Sequence, residues 1–454
     1  MPSLNNRRRT MGRHEIVEEL PYLAFKPSVG NYLRYYCNGS ITPDLEYSWD
    51  GETWDIFPAQ GVYVSQDQEI FVRGNNPNGI SNGTTEYMQF IFDSANASVE
   101  CRGSISGLIN AGNKAAPVTA VPNRYCFYHL FENATWLVSA PKLDIPVLAS
   151  YCYQEIYVGC TRLAAPSDMT AIREAPAYCC YRMYSGCTAL TVAKIPLKAT
   201  VLGNACYSGM YLNCTGLTTV EAFPSTIGEN CFSGTFEGCT SLSVVPDLPA
   251  TALVEGCYRS MFLGCTALTK APALPATTLA PSCYSGMFNA CSNLVTPPAL
   301  PAENMKGYCY QRMFQDCSSL VTPPALPATT LAASCYYQMF NRCTSLETAP
   351  ALPATTLANS CYYQMFSGCR ALVTAPDLPA LALVSNCYYM MFRSCTHLNF
   401  IRAMFTTSPT SSYTGRWVDG VASTGTFVKN SAATWTTTGV NGVPTEWTIL
   451  YETP

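Results

Sequence analysis

Charge is scarce in this chain. Of its 454 residues only 12% are Asp, Glu, Lys or Arg, about half the share usual for a soluble domain. The formal net charge is -4, so no strongly basic balance draws the protein to nucleic acid or to an acidic membrane. Histidine is scarcer still, with His14, His129 and His397 the whole supply. A Ser/His/Asp or Cys/His set therefore cannot recur along the chain. Zinc lacks its usual nitrogen ligands, and no Cys-x-x-Cys pair is present. There is no Gly-rich phosphate loop, and no run of eighteen apolar residues that would span a membrane as a helix. The first stretch, "MPSLNNRRRTMGRHEIVEEL", has arginines without an apolar core behind them, so we expect no secretory signal. These absences lead to the expectation of a protein without cofactor or metal that is not an enzyme. Scattered carboxylates such as Asp50, Glu52 and Asp55 read as turn polarity rather than as a glycosidase pair.

Cysteine, by contrast, is abundant. Twenty-two of the 24 fall in one region, and they fall periodically. Aligning Cys126, Cys152, Cys179, Cys206, Cys231, Cys257, Cys283, Cys309, Cys335, Cys361 and Cys387 gives spacings of 25 to 27 residues, with 26 repeated six times at the end. A fixed period of this size is the signature of a solenoid. A second cysteine follows eight residues after each, except in the first unit, where Ala134 stands. Equivalent cysteines in stacked coils would lie about 5 Å apart, within disulfide reach. A thiol with two such neighbours can bond only one. We therefore expect mostly reduced, buried thiols acting as small hydrophobes, with scattered bridges as the alternative.

Within a unit the pattern is cysteine, aromatic, two variable residues, methionine, aromatic, two variable residues, cysteine, then leucine at offset eleven from the first cysteine. In the unit at Cys361 these are Tyr362, Met365, Phe366, Cys369 and Leu372. Offsets 0, 1, 4, 5 and 8 share one stripe of a 3.6-residue helix, so "CYYQMF" predicts a short helix facing inward. The following "LVTAPDLPALAL" predicts two short extended runs stacking in parallel. Pro376 and Pro379 mark the corners, because proline inside a ladder removes a hydrogen bond. Eleven coils rising about 4.8 Å each make a rod roughly 50 Å long.

"CYYQMFSGCRAL", with its MFxGCxxL core, resembles the BspA-like leucine-rich repeats of gut Bacteroidetes surface proteins and of phages that infect them. The resemblance covers about residues 120–400. It implies a mainly β fold with short helices: a β-sandwich over 21–112, a leucine-rich-repeat solenoid of about 11 coils over 113–400, and a β cap over 401–454. Runs such as "EIFVRG" and "MQFIFD", divided by turn signals at Asp50-Gly51 and Asn82-Gly83, predict the antiparallel sandwich. The segment after residue 400 reads as hairpins holding Trp417, Trp435 and Trp447.

The function implied is binding without catalysis. The leading expectation is a phage virion protein, a tail fibre, head fibre, appendage or decoration, made in the host cytoplasm and released by lysis. The alternative is a bacterial cell-surface leucine-rich-repeat adhesin. Residues 1–20 are expected to dock to other virion proteins, with Arg7, Arg8, Arg9 and Arg13 pairing acidic groups and Ile16, Val17 and Leu20 as apolar anchors. Homo-oligomerisation is expected; nucleic-acid binding and membrane insertion are not. A bacterial surface protein or glycan would serve as receptor, met either by an outer edge carrying Tyr337, Tyr363 and Tyr389 or by Trp417, Trp435 and Trp447. For the tryptophans the favoured reading is the small core of the cap.

Overall fold

The structure is a computed structural model and describes residues 19–94 and 97–453. Short alternating runs in the first quarter make strands with one apolar face each, and two sheets cover those faces for one another. One sheet contains β1 (Leu23–Pro27), β3 (Leu45–Ser48), β4 (Asp55–Ile56), β6 (Ile70–Gly74) and β8 (Val99–Gly103); the other contains β2 (Asn31–Asn38), β5 (Val62–Val64) and β7 (Tyr87–Phe92). The orders are β4-β3-β6-β1-β8 and β5-β2-β7, antiparallel throughout. Phe25 of β1 meets Phe90 and Phe92 of β7 at 5.2 and 6.1 Å between ring centroids, which places the core between the sheets.

The sandwich and the repeats share their packing. Strand β9 (Leu137–Ser139), from the first coil, adds in parallel to β8, with Val99 beside Leu137. The Phe90 N–H donates to the Leu130 carbonyl at 3.0 Å, and the Phe90 ring lies 5.9 Å over Phe131. The sandwich thereby covers the apolar end of the first coil, which a solenoid cannot leave open to water.

In every coil offsets 0, 1, 4, 5, 8 and 11 are buried, as the sequence pattern requires. The predicted helix does not form. Offsets −1, 3 and 7 all have positive φ, for example Ser334 (55°), Gln338 (56°) and Arg342 (62°). A left-handed residue every fourth position turns the segment into linked tight turns, which keep the same residues facing inward with a period of four. The hydrogen bonds alternate accordingly. The N–H groups of Met339, Asn341 and Cys343 donate three residues back, while those of Tyr336, Gln338, Phe340 and Arg342 donate to carbonyls of the next coil at 2.8–3.1 Å. Coils are thus stitched to one another where a helix would be bonded to itself.

The extended side does stack in parallel as expected, but in ladders of one or two residues. Strands β10 (Glu174–Ala175) and β12 (Val201–Leu202) pair, as do β11 (Val192–Ala193) and β13 (Thr219–Val220). Single bridges such as Lys270 to Thr296 and Asn304 to Thr330 continue both ladders. The prolines that separate the runs keep them short.

Two aromatic columns fill the interior. At offset five, from Phe131 and Tyr157 to Phe392, neighbouring rings lie 5.2–5.9 Å apart and within 14° of parallel. At offset one a second column runs from Tyr207 through Phe232 to Tyr388. Apart from the 45° tilt between Tyr207 and Phe232, the rings are stacked, a favourable arrangement for aromatic pairs.

The second cysteine of each coil has a definite partner. Its thiol donates to the carbonyl of the offset-five aromatic one coil earlier, at 3.0–3.2 Å from Cys160 through Cys395. That carbonyl already accepts one backbone bond, as Phe340 does from the Cys343 N–H, so the thiol fills its second lone pair. The first coil has no preceding coil, hence no such carbonyl. Ala134 stands there.

Past residue 400 the predicted hairpins are replaced by parallel structure. Strands β14 (Phe400–Ala403), β15 (Thr426–Asn430) and β16 (Thr448–Glu452) form a three-stranded parallel sheet. Coil-to-coil bonds continue from Tyr388 N–H to Tyr413 O and from Phe392 N–H to Trp417 O. Arg416 and Gly420 again have positive φ, at 53° and 77°. The period survives here in degenerate form: Tyr413 replaces the first cysteine and Trp417 the methionine.

Candidate functional site

On the outer edge of the turns, offset two points away from the core. In the last three full coils it carries Tyr337, Tyr363 and Tyr389, half-buried and stacked at 4.5 and 4.9 Å within 11° of parallel. Burial, followed by its two tyrosine neighbours, raises the Tyr363 phenol above its ordinary value. Beside them runs an amide row. Arg312 Nε donates to Gln338 Oε1 at 2.7 Å, Gln338 Nε2 donates to Gln364 Oε1, and Gln364 Nε2 points at Met390 Sδ 3.0 Å away. The faces inside the tyrosine stack are occupied by one another. Arg312 lies 5.9 Å from the Tyr337 ring, and at Gly415 a Cβ would sit 2.7 Å from the Tyr389 ring, so glycine is what lets the backbone close over it. The ladder therefore presents ring edges and hydroxyls, a row of donors and acceptors at the coil spacing, rather than open faces for a sugar to stack on.

The three tryptophans do not form a face. Trp417, Trp435 and Trp447 are buried, and their indole N–H groups donate to the carbonyls of Gly442, Phe405 and Ala422 at 2.8–3.1 Å. They are buried in the cap, and Trp417 covers the ends of both aromatic columns, 6.1–6.2 Å from Phe392 and Tyr388. Of the N-terminal docking residues, Arg7, Arg8, Arg9, Arg13, Ile16 and Val17 lie outside the described residues. Leu20 is half-buried against Gly103 of this same chain, and Glu19 pairs with Lys142 at 2.6 Å.

The thiols and inner phenols of the repeats are enclosed. Burial pushes the Cys257 and Cys361 thiols up to about 12 and the Cys387 thiol up to about 11, so the nucleophilic thiolate is suppressed at these positions. Among the described residues no group of three His, Cys, Asp or Glu could hold a metal. Asp50 accepts from the Glu52 and Thr53 N–H groups and from the Thr53 and Ser48 hydroxyls, which hold its carboxyl well below the usual range and fasten a turn.

One cluster escaped the sequence reading. His129, at an ordinary repeat offset, has Glu132 2.8 Å from Nδ1 and Glu155 3.0 Å from Nε2, while Tyr87 of β7 packs edge-on at 4.9 Å. Burial opposes protonation, but hydrogen bonds and charge from the two glutamates outweigh it and raise the imidazole above its ordinary value. The cluster locks β7 to the first two coils. Its sequence signal is slight, two glutamates at offsets three and twenty-six from the histidine.

Stacked parallel coils with an invariant buried leucine, capped at both ends, decide the architecture. The fold is a leucine-rich-repeat solenoid. No protein-family model and no curated protein matches this chain. Among solved structures it is similar to a leucine-rich repeat protein from Bacteroides ovatus, at 14% identity and a TM-score of 0.42, covering 91% of this chain and 99% of that one. It is also similar to a leucine rich cell surface protein from Faecalibacterium prausnitzii, at 17% identity and a TM-score of 0.37, covering 85% and 95%.

Proposed function

We propose that this protein is a non-catalytic adhesin, a stiff rod displayed at a bacterial surface that binds a partner along its outer turn edge. The observation that carries this reading is the division of labour within each coil. Its reactive groups, the thiols and inner phenols, are sealed in the core, while the outer edge holds Tyr337, Tyr363 and Tyr389 beside Gln338 and Gln364 in one continuous row. A rigid scaffold bearing pre-ordered hydrogen-bonding groups loses little entropy on binding. Fractionating producer cells with an antibody to the chain tests its location: the protein should sediment with the envelope. Co-purification with phage particles in place of envelope would restore the virion reading and overturn this one. Binding of purified protein to cells should fall at least tenfold when Tyr337, Tyr363 and Tyr389 are changed together to alanine.

A further inference from the structure

A second aromatic surface lies at the opposite end of the molecule. On the outward face of β5-β2-β7, Tyr32, Tyr36 and Tyr63 are 42%, 46% and 52% exposed, a large exposure for side chains of this size. The register sets Tyr32 opposite Tyr63, Arg34 opposite Ile91 and Tyr36 opposite Gln89. The face is built flat. A Cβ at Gly30 would sit 2.3 Å from the Tyr63 hydroxyl, and one at Gly61, whose φ is +88°, would sit 2.5 Å from Arg34 Cγ. Two glycines thus clear the ground on which Tyr63 and Arg34 lie down along the sheet.

The band does not stop at the sandwich. Tyr87, on the same face of β7, meets Tyr128 of the first coil at 5.8 Å; Tyr128 is buried and supports the junction from beneath, meeting the half-buried Tyr125 at 5.7 Å. From Tyr125 a stack proceeds to Tyr151 at 4.7 Å and Tyr178 at 5.1 Å, one half-buried ring per coil. The His129 cluster fixes the two segments relative to each other at their junction. On the sheet face the ions are paired, Arg34 with Asp93 at 2.9 Å; at the junction His129 lies between two carboxylates, Glu132 and Glu155, and the exposed Arg124 stands beside Tyr125.

We propose that this band is a binding surface for an extended, neutral glycan chain. A neutral partner follows from the mixed charge along the band: an anionic polymer would have to displace Asp93 from Arg34 and then pass the two glutamates, while a cationic one would meet Arg34 and Arg124. Hydroxyl-rich chemistry follows from the side chains: phenols both donate and accept, and Ile91 is the one large aliphatic on the sheet portion, too little for the desolvated core of a protein interface. A repeating ligand follows from the repeating stack, whose coil-to-coil step is comparable to one pyranose unit along a chain. The exposed rings of Tyr36 and Tyr63 supply faces for sugar C–H groups at the sandwich end.

The site shares no residue with the Tyr337 ladder, so the two proposals fail separately. The full chain is titrated with soluble β-1,3-glucan, xylan and mannan, and with heparin as the anionic comparison, by affinity electrophoresis. At least one neutral polymer should retard the protein, with little change between low and high salt. Tyr36→Ala and Tyr151→Ala, which lie in different modules, should each weaken that retardation at least tenfold with unchanged melting temperature, whereas Tyr337→Ala should not. Three outcomes overturn the proposal: no retardation by any neutral polymer, retardation by heparin alone, or sensitivity to only one of the two tyrosines. The last would show that the band is not one continuous site.

Discussion

At the scale of single residues, the inner columns decide stability. Phe340 is stacked on both sides and fully buried, so Phe340→Ala should cost about 3–5 kcal/mol in chemical denaturation. Gln338→Ala, on the outer edge, should cost far less; an equal loss would place the wrong face inward. The second column behaves differently. The phenol oxygens of Tyr258 and Tyr284 are buried without a hydrogen-bond partner among the described residues, while Phe232 holds the equivalent position one coil earlier. An unsatisfied buried hydroxyl costs about 1–3 kcal/mol. Tyr284→Phe should therefore leave the melting temperature unchanged or raise it. The thiols give a third measurement. Cys37 is the one cysteine that is not fully enclosed, so Ellman's reagent should find it alone in the native protein. The large majority should become reactive on denaturation without reductant. Ten bridges found there would mean that the columns had oxidised.

At the scale of elements, the turn segment shows what the sequence could and could not disclose. Offsets 0, 1, 4, 5 and 8 were legible as the inward set because burial alone selects them. Their backbone was not, since a 3.6-residue helix and a four-residue turn period place the same five positions on one side. The discriminating signal was at offset seven, where Asn133, Gly159, Gly186, Asn213, Gly238, Gly264 and Gly368 concentrate the residue types that tolerate positive φ. Gly368, at φ +79°, should accept Asn with little loss, while Gly368→Val should cost about 1–2 kcal/mol or more. The Tyr337 ladder was legible from its regular offset. The closing of its ring faces by stacking was not, because that depends on the rise between coils. At the sandwich junction the His129 imidazole is raised in the folded protein. Its contribution is complete below the ordinary histidine pKa of about 6.5 and is lost as pH climbs through the higher folded value. Glu132, Glu155, Tyr87 and Tyr128 face it, and no cation among them takes over once it is neutral. Thermal stability should thus decline across that interval, and His129→Gln should flatten the decline.

At the scale of the whole molecule, the backbone bonds between successive turn segments join each coil to its immediate neighbours, and the first coil to the sandwich as well. Stability should then be close to a sum over coils and their interfaces, with the sandwich and the tryptophan-filled cap protecting the two ends. Truncation after residue 400 removes Trp417 from the ends of both columns and should yield aggregating protein. Excising residues 335–360 should instead leave a folded rod shorter by about 4.8 Å, because Cys309 and Cys361 carry interchangeable interfaces. The thiol that reaches back to the preceding coil's carbonyl has the same tolerance built in. Any coil with cysteine at offset eight can follow any coil with an aromatic at offset five. For a gene, that makes the tract from Cys257 to Cys387 a set of exchangeable cassettes. Unequal recombination between such similar 26-residue segments would add or delete whole coils in frame, changing how far the protein reaches without asking selection to invent a new contact.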